Sequence, residues 1–249
     1  MLSTMTPTDS LFRWIETQEA TTAAPWGRLA QELQAEFTVQ GQTPVRVHAG
    51  NWVDDAFLDG VGAFDVIVAD YLVGSIEGFA PYYQDQVFPR LMRLLAPHGR
   101  LYVVGLEPIT ETVHAHTASG ESACPCCAST SDSDAALIRD MARVRDACFL
   151  LAGRRCYREF PLQWTTRQLQ KSGLNVRNEV KMTNVYSVDT IRRQLTVARN
   201  QLKWFRDDTL AAAMESTLRR FDTRVHEALD GGARKIRFGF DYVVAATVE

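Results

Sequence analysis

The 249-residue sequence lacks a long hydrophobic run, a clear surplus of either charge and an even set of cysteines. No apolar stretch reaches the roughly 18 residues that a membrane-spanning helix needs. The opening MLSTMTPTDS has neither the basic nor the apolar part of a signal peptide, so we expect a cytoplasmic protein. Lysine and arginine number 27 against 30 aspartate and glutamate, which argues against a main role in binding nucleic acid or a membrane surface.

The cysteines are too few and too uneven for a secreted disulfide framework, so reduced thiols are expected. Three of them are crowded together: Cys124, Cys126 and Cys127. With His114 and His116 they offer zinc-ligand types, but adjacent cysteines suit one tetrahedral ion poorly and the spacing matches no known zinc motif. We therefore predict no metal site.

The apolar pattern predicts alternating strands and helices. The β-branched run FDVIVAD, Phe64–Asp70, indicates a central strand buried on both faces. RLYVVGL, Arg100–Leu106, indicates another strand after the turn Pro97–Gly99. Because Gln86–Leu95 has apolar residues at helical spacing, the two strands are joined by a helix and must be parallel.

Helical patterns and one polar loop fill much of the rest. Residues 1–42 are predicted to form a helical N-terminal segment, and the small, polar run 110–134 is predicted to be a flexible loop. Residues 188–232 are predicted to form a helical hairpin inserted before the last strand. The remaining predicted elements are helices at Ala135–Leu151 and Trp164–Ser172 and strands at Pro44–Ala49, Asn175–Tyr186 and Ile236–Val248.

The runs FDVIVADYLVGSIEGF and PRLMRLLAPHGRLYVVGLEP resemble the second half of a class I S-adenosylmethionine-dependent methyltransferase. In that family an acidic or polar residue closes the fourth strand beside the donor, and a helix ending in L-x-P-G-G precedes the fifth. Asp70 and Leu95–Gly99 stand at these places, and FGFDYVVAA resembles the terminal antiparallel strand. The resemblance covers residues 43–249 and implies a Rossmann-like α/β fold whose sheet is mostly parallel.

The family's glycine-rich donor loop is not found in this sequence. Nothing before Pro44 has the pattern of strand, glycine loop, helix and strand, and Gly60 and Gly62 precede a strand rather than follow one. The sheet is therefore predicted to lack its first two strands. A start site placed too late, an alternative transcript and a relative that has lost its donor half are the open explanations.

The resemblance implies S-adenosylmethionine as the cofactor. The resemblance also implies that two stretches bind this cofactor. They are Gly50, Asn51 and Trp52, and Asp70, Tyr71 and Leu72. A methyl transfer needs alignment and at most one proton acceptor, so a single carboxylate or tyrosine suffices. The catalytic candidates are Asp70, Tyr71 and Glu107. As structural alternatives, Asp70 would cap the next helix and Glu107 would be an ordinary loop residue.

The segment CYREFPLQW, Cys156–Trp164, is dense in groups suited to recognition. A guanidinium beside aromatic rings can bind an acidic group. The substrate-binding candidates are therefore Glu107, Tyr157, Arg158 and Trp164. The alternative is a structural Arg–Glu pair that leads into a helix with Trp164 in the core.

Together these features predict a methyltransferase that acts on an unidentified small-molecule or protein acceptor. The alternative is a methyltransferase-like interaction protein without catalysis, whose hairpin binds a partner. Without the first two strands, one side of Phe64–Asp70 would be an apolar edge. We expect Pro44–Ala49 to pair with that edge and give five strands; otherwise the edge favours self-association.

Overall fold

A computed structural model describes residues 48, 50–109 and 130–248. The chain divides into two compact units, Met1–Ala63 and Phe64–Glu249. The described part of the first unit consists of turns, in which Asp54 N donates to Asn51 O at 3.0 Å. The ring of Trp52 meets Phe57 edge-on, with 5.6 Å between the ring centroids.

Four described strands of the second unit form one sheet: β1 (Phe64–Asp70), β2 (Leu95–Leu106), β3 (Asn175–Tyr186) and β4 (Ile236–Thr247). Their order across the sheet is β1-β2-β4-β3. β1 and β2 pair in parallel, whereas β4 is antiparallel to both β2 and β3. Three strands therefore run in one direction and β4 opposes them, which confirms the predicted fold class.

Helices connect these strands. Two of them, α1 (Leu72–Ile76) and α2 (Gln84–Arg93), lie between β1 and β2. The helices α3 (Asp132–Leu151) and α4 (Leu162–Lys171) precede β3. Between β3 and β4 come α5 (Val188–Arg199), a 3₁₀ turn (Leu202–Trp204), α6 (Asp208–Ala228) and a second 3₁₀ turn (Asp230–Gly232). No helix in the described ranges is long and apolar enough to cross a membrane.

One face of the sheet carries the first core. Side chains alternate across a strand, and Leu101 and Val103 of β2 lie fully buried beside Tyr242 and Val244 of β4. Phe88 of α2 is also completely buried. Since burying one such side chain stabilises the fold by about 1.5–3 kcal/mol, this face fixes the positions of β2 and β4.

A second core lies among the helices α3, α5 and α6. Its members are buried and apolar, among them Leu137, Ile138, Met141, Ile191, Leu195, Leu218 and Val225. Two ion pairs reach α3 from distant parts of the chain: Arg224 Nη2 to Asp140 Oδ2 at 2.7 Å, and Arg234 Nη1 to Asp134 Oδ2 at 2.7 Å. The inserted helices are thus packed against α3, and they are not a free appendage.

The burial of β1 differs from its prediction. In the described part of the chain β1 is an edge strand, and Phe64, Val66 and Val68 are 38%, 46% and 40% exposed. An apolar, β-branched run indicates a strand but does not fix how many neighbours cover it. The proposed partner Pro44–Ala49 lies, apart from His48, outside the described residues, so that pairing stays a prediction.

The predicted turn Pro97–Gly99 lies inside β2. Phe64 pairs with Leu95 and Val66 with Arg100, so the register shifts between them. His98 adopts a left-handed backbone, with φ of 62°. A Cβ atom at Gly99 would lie 2.8 Å from Ala96 O, so this bulge requires glycine.

The predicted loop 110–134 is described only in its last residues. The helix α3 begins inside it, where the Ser131 hydroxyl accepts a hydrogen bond from Asp134 N at 3.2 Å and caps the helix. The other candidate loop residues, including Cys124, Cys126 and Cys127, lie outside the described residues. Elsewhere, in the described ranges, no cluster of His, Cys, Asp and Glu could hold a metal ion.

Candidate functional site

Polar side chains gather where β1 and β2 end. Asp70 closes β1 opposite Val104, and Tyr71 N donates to Val104 O at 3.1 Å. Asp241 of β4 stands in register with Leu106, the last residue of β2. β4 runs antiparallel to β2, and this pairing places Asp241 at the edge of the sheet where β2 ends. The carboxyl ends of the strands are where open α/β sheets bind their ligands.

The Asp241 carboxylate interacts with two polar side chains. Asn184 Nδ2 of β3 donates to Asp241 Oδ1 at 3.3 Å, and the Tyr71 hydroxyl interacts with the same carboxylate and lowers its pKa. Tyr71 has a left-handed backbone, with φ of 48° and ψ of 19°. That conformation is strained for a bulky residue. The strain is held at the point where the chain leaves β1 and enters α1.

The edge is electronegative. Burial raises the pKa of Tyr71 above its usual range, and the charges of Asp241, Asp70 and Glu159 raise it further. Burial also raises the pKa values of Asp70 and Asp241, although at Asp241 the interactions with Tyr71 and Asn184 oppose the rise. Tyr71 is therefore a neutral phenol beside carboxylates that have lost part of their solvation.

Glu159, which the sequence reasoning did not select, joins this group. A Cβ atom at Gly74 of α1 would lie 3.1 Å from Glu159 Oε2, so the carboxylate rests against that helix. Burial raises the pKa of Glu159 to about 7, whereas the positive charge of Arg145 lowers it. Glu159 can therefore exchange a proton near neutral pH.

The positive charge of Arg145 of α3 acts on Glu159. Its Nε donates to Asp146 Oδ1 at 2.8 Å, and its Nη1 donates to Gln194 Oε1 of α5 at 3.0 Å. The alternative of a structural Arg–Glu pair within CYREFPLQW named the wrong arginine. Glu159 interacts with Arg145 of α3 and not with Arg158.

Glu107 has a structural contact. Its Oε2 accepts a hydrogen bond from Leu162 N, the first residue of α4, at 2.8 Å. Its own N–H donates to Phe240 O at 3.0 Å. A carboxylate at a helix N-terminus is stabilising, so Glu107 anchors α4 to the end of β2. Its catalytic and substrate-binding roles stay predictions.

The other predicted residues are divided among different places. Trp164 of α4 is half-buried against α2, and its ring centroid lies 4.4 Å from that of Phe160 and 6.4 Å from that of Phe88, which favours the core interpretation. Tyr157 and Arg158 line a surface pocket described below. Leu72 begins α1 beside Tyr71.

Gly50, Asn51 and Trp52 belong to the first unit. There the Asn51 side chain accepts from Val53 N at 3.1 Å and forms a local turn. Their contact with a donor stays a prediction.

The sequence reasoning missed Asp241, Asn184 and Arg145 as well as Glu159. One signal was available for Asp241, since it is the single charged residue in the apolar strand segment FGFDYVVAA. A carboxylate there must face either solvent or a polar partner. Asn184 and Arg145 carry no such signal, because their roles depend on strand pairing and helix packing.

No family model matches the sequence, and neither does any curated protein. Solved structures do match. A candidate methyltransferase from Bacillus halodurans C-125 is 13% identical over 86% of this chain and 76% of that one, with a TM-score of 0.47. The YcgJ protein of Bacillus subtilis is 14% identical over 89% of this chain and 78% of that one, also with a TM-score of 0.47.

A third match is the mycolic acid cyclopropane synthase CmaA1, determined with S-adenosylhomocysteine. It is 16% identical over 92% of this chain and 67% of that one, with a TM-score of 0.42. Identities and TM-scores of this size leave the function to be argued from the site itself. The order and directions of the strands confirm the fold that the sequence resemblance implies.

Proposed function

We propose that the protein is an S-adenosylmethionine-dependent methyltransferase whose donor lies across the carboxyl ends of β1 and β2. The observation that carries the proposal is the Asp70 carboxylate, which closes β1 beside the interacting side chains of Tyr71 and Asp241. Burial raises the pKa of Asp70, and in the described part of the chain its carboxylate has no hydrogen-bond or ion-pair partner. It is an acceptor that a ligand can satisfy.

The residues at this edge fit a positively charged donor. Asp70, Asp241 and Glu159 are carboxylates with raised pKa values, and the nearby Arg145 is already paired with Asp146. A sulfonium cation would restore part of the stabilisation that these carboxylates lose on leaving water. The Asp70 carboxylate would also accept hydrogen bonds from donor hydroxyl or amino groups.

When bound, S-adenosylmethionine supplies an activated methyl group to a nucleophile of the acceptor. The chain must position that nucleophile, exclude water and take up one proton. The Tyr71 hydroxyl stays protonated beside Asp241, so its oxygen can accept a hydrogen bond from an acceptor N–H or O–H. Glu159, with a pKa of about 7, is the group suited to take up the proton. No feature in the described ranges favours the non-catalytic alternative.

Calorimetry with S-adenosylhomocysteine tests this proposal. We expect saturable but weak binding, with a Kd above about 10 μM, because the glycine-rich loop that cradles such donors is not found in the sequence. Asp70→Asn should abolish the saturable heat without lowering the melting temperature. Asp65→Asn, on the same exposed strand, is the matched control and should bind like the unaltered protein.

Two results would contradict the assignment. One is a folded protein that gives no heat at millimolar ligand. The other is an equal loss of binding in Asp65→Asn and Asp70→Asn, which would show that strand charge rather than a site is measured.

A further inference from the structure

A surface pocket of about 510 Å³ lies among α1, α3 and the segment that joins α3 to α4. The residues that line it include Glu77, Asp146, Leu150, Arg155, Tyr157 and Arg158. It adjoins the candidate site, because α1 directly follows Tyr71.

Close backbone contacts fix the walls of this pocket. Arg158 N donates to Gly74 O of α1 at 3.2 Å. A Cβ atom at Gly74 would lie 3.1 Å from Arg158 O, and one at Gly78 would lie 3.0 Å from the Tyr157 ring. The two glycines therefore allow the segment to lie directly on α1.

The two carboxylates of the pocket are already neutralised. Glu77 Oε1 pairs with Arg155 Nη1 at 2.7 Å, and its Oε2 accepts from Gln84 Nε2 at 2.8 Å. Asp146 Oδ1 pairs with Arg145 Nε at 2.8 Å. Neither carboxylate therefore presents a full negative charge to a ligand.

Arg158 and Tyr157 are different. In the described part of the chain the Arg158 guanidinium has no carboxylate partner, and the Tyr157 hydroxyl has no hydrogen-bond partner. Tyr157 is half-buried, and burial raises its pKa above the usual range, so the hydroxyl remains a donor. The pocket thus has two donors without a protein partner in the described part of the chain, the exposed guanidinium of Arg158 and the half-buried hydroxyl of Tyr157, and Leu150 and the Tyr157 ring supply apolar surface.

We propose that this pocket binds the oxyanion group, a carboxylate or a phosphate, of a small molecule whose apolar part lies against Tyr157 and Leu150. A guanidinium binds such a group through two parallel hydrogen bonds, and the Tyr157 hydroxyl supplies another donor. The identification of this molecule as the methyl acceptor rests on the proposed function. The chemistry of binding in the pocket does not.

Four probes with one ring and different charges test the proposal: phenylacetate, phenyl phosphate, phenylacetamide and phenethylamine. Each is titrated by NMR into the full chain without a methyl donor. One or both anions should bind roughly tenfold more tightly than the neutral amide, and the amine should bind most weakly. A preference for phenylacetate alone indicates a carboxylate ligand, and one for phenyl phosphate alone indicates a phosphate ester.

Variants assign the preference to the pocket. Arg158→Gln should abolish the roughly tenfold preference for anions, and Tyr157→Phe should weaken anion binding by about threefold. The control Arg193→Gln removes an exposed arginine of α5 and should change nothing. Equal binding of phenylacetate, phenyl phosphate and phenylacetamide, tighter binding of the amine, or an equal effect of Arg193→Gln would overturn the proposal.

The probe titrations and the S-adenosylhomocysteine calorimetry test the two proposals independently. Anion preference without nucleoside binding would keep the pocket and reject the methyltransferase. Binding of S-adenosylhomocysteine without an anion preference would keep the methyltransferase and reject the pocket. The comparison among probes is made on the unaltered protein, so it stands even if a variant does not fold.

Discussion

Tyr71, which directly follows β1, interacts with the Asp241 carboxylate in the middle of β4, across β2. These two residues are distant in sequence but meet because β4 pairs antiparallel with β2 and brings Asp241 opposite Leu106. Tyr71 adopts a left-handed backbone conformation at this point.

Replacing Tyr71 with phenylalanine should lower the free energy of unfolding by about 2 kcal/mol, because the interaction of its hydroxyl with a partly buried carboxylate is lost and Asp241 keeps only the hydrogen bond from Asn184. Urea denaturation measures the change. Tyr102→Phe is the control: this half-exposed tyrosine of β2 has no hydroxyl partner in the described part of the chain, so the loss of its hydroxyl should cost less than about 0.5 kcal/mol. Equal stabilities of the two variants would contradict a stabilising interaction between Tyr71 and Asp241.

The stability of the protein should fall as the pH rises through the range in which Glu159 titrates. Burial raises the pKa of Glu159 from 4.5 to about 7. Between these values the folded state keeps a proton that the unfolded state has released, so folding takes up a proton and weakens with rising pH. The stabilisation of the protonated form is fully present below the lower value and lost above the higher one.

Glu159→Gln should remove this loss of stability with rising pH, which amounts to on the order of 2 kcal/mol in the free energy of unfolding. Denaturation at about pH 5 and about pH 8 measures it. Glu227→Gln, at an exposed position of α6, should keep the pH dependence of the unaltered protein. A variant Glu159→Gln whose stability still falls by the same amount would show that another group is responsible.

Several elements could be predicted from the sequence because their patterns are local. The strand Asn175–Tyr186 has the predicted bounds, and the predicted strand Ile236–Val248 ends one residue later than β4. Periodicity within a segment needs no knowledge of the rest of the chain. The helix α1 was missed because its five residues include Gly74 and are too short to show a period.

The site was harder to predict than the fold. Asp70 and Tyr71 could be selected because a ligand site at a strand end is a rule of the fold. The register of β2 with β4 determines which residue of β4 faces them, and register depends on long-range pairing. Glu159 meets Arg145 only after α3 has packed, so no spacing within CYREFPLQW could show it.

A substitution of Glu107 can distinguish its structural contact with α4 from a catalytic role. Glu107→Ala should destabilise the protein by about 1 kcal/mol, since Leu162 N loses its acceptor at the helix N-terminus. Thermal denaturation measures this effect, and Glu227→Ala is a control without such a contact. A loss of methyl transfer far beyond that of stability would restore Glu107 as a catalytic residue, whereas unchanged stability would contradict the cap.

The two edges of the described sheet differ in how well they resist pairing with another chain. β3 carries Arg177, Glu179 and Lys181, and its register with β4 shifts twice. Charges and bulges of this kind discourage edge-to-edge association. β1 has exposed apolar side chains at Val66 and Val68, and its only acidic residues are Asp65 and Asp70.

Self-association should occur through β1 if Pro44–Ala49 does not cover this edge. In that case sedimentation velocity should show a concentration-dependent increase in mass that Val68→Lys abolishes, because a lysine on an edge strand opposes pairing. Val180→Lys is the matched control on β3, since Val180 is 45% exposed and Val68 is 40% exposed. It should associate like the unaltered protein. A single monomeric species at every concentration would contradict self-association and favour the pairing with Pro44–Ala49, and equal suppression by both variants would assign the effect to net charge rather than to the β1 edge.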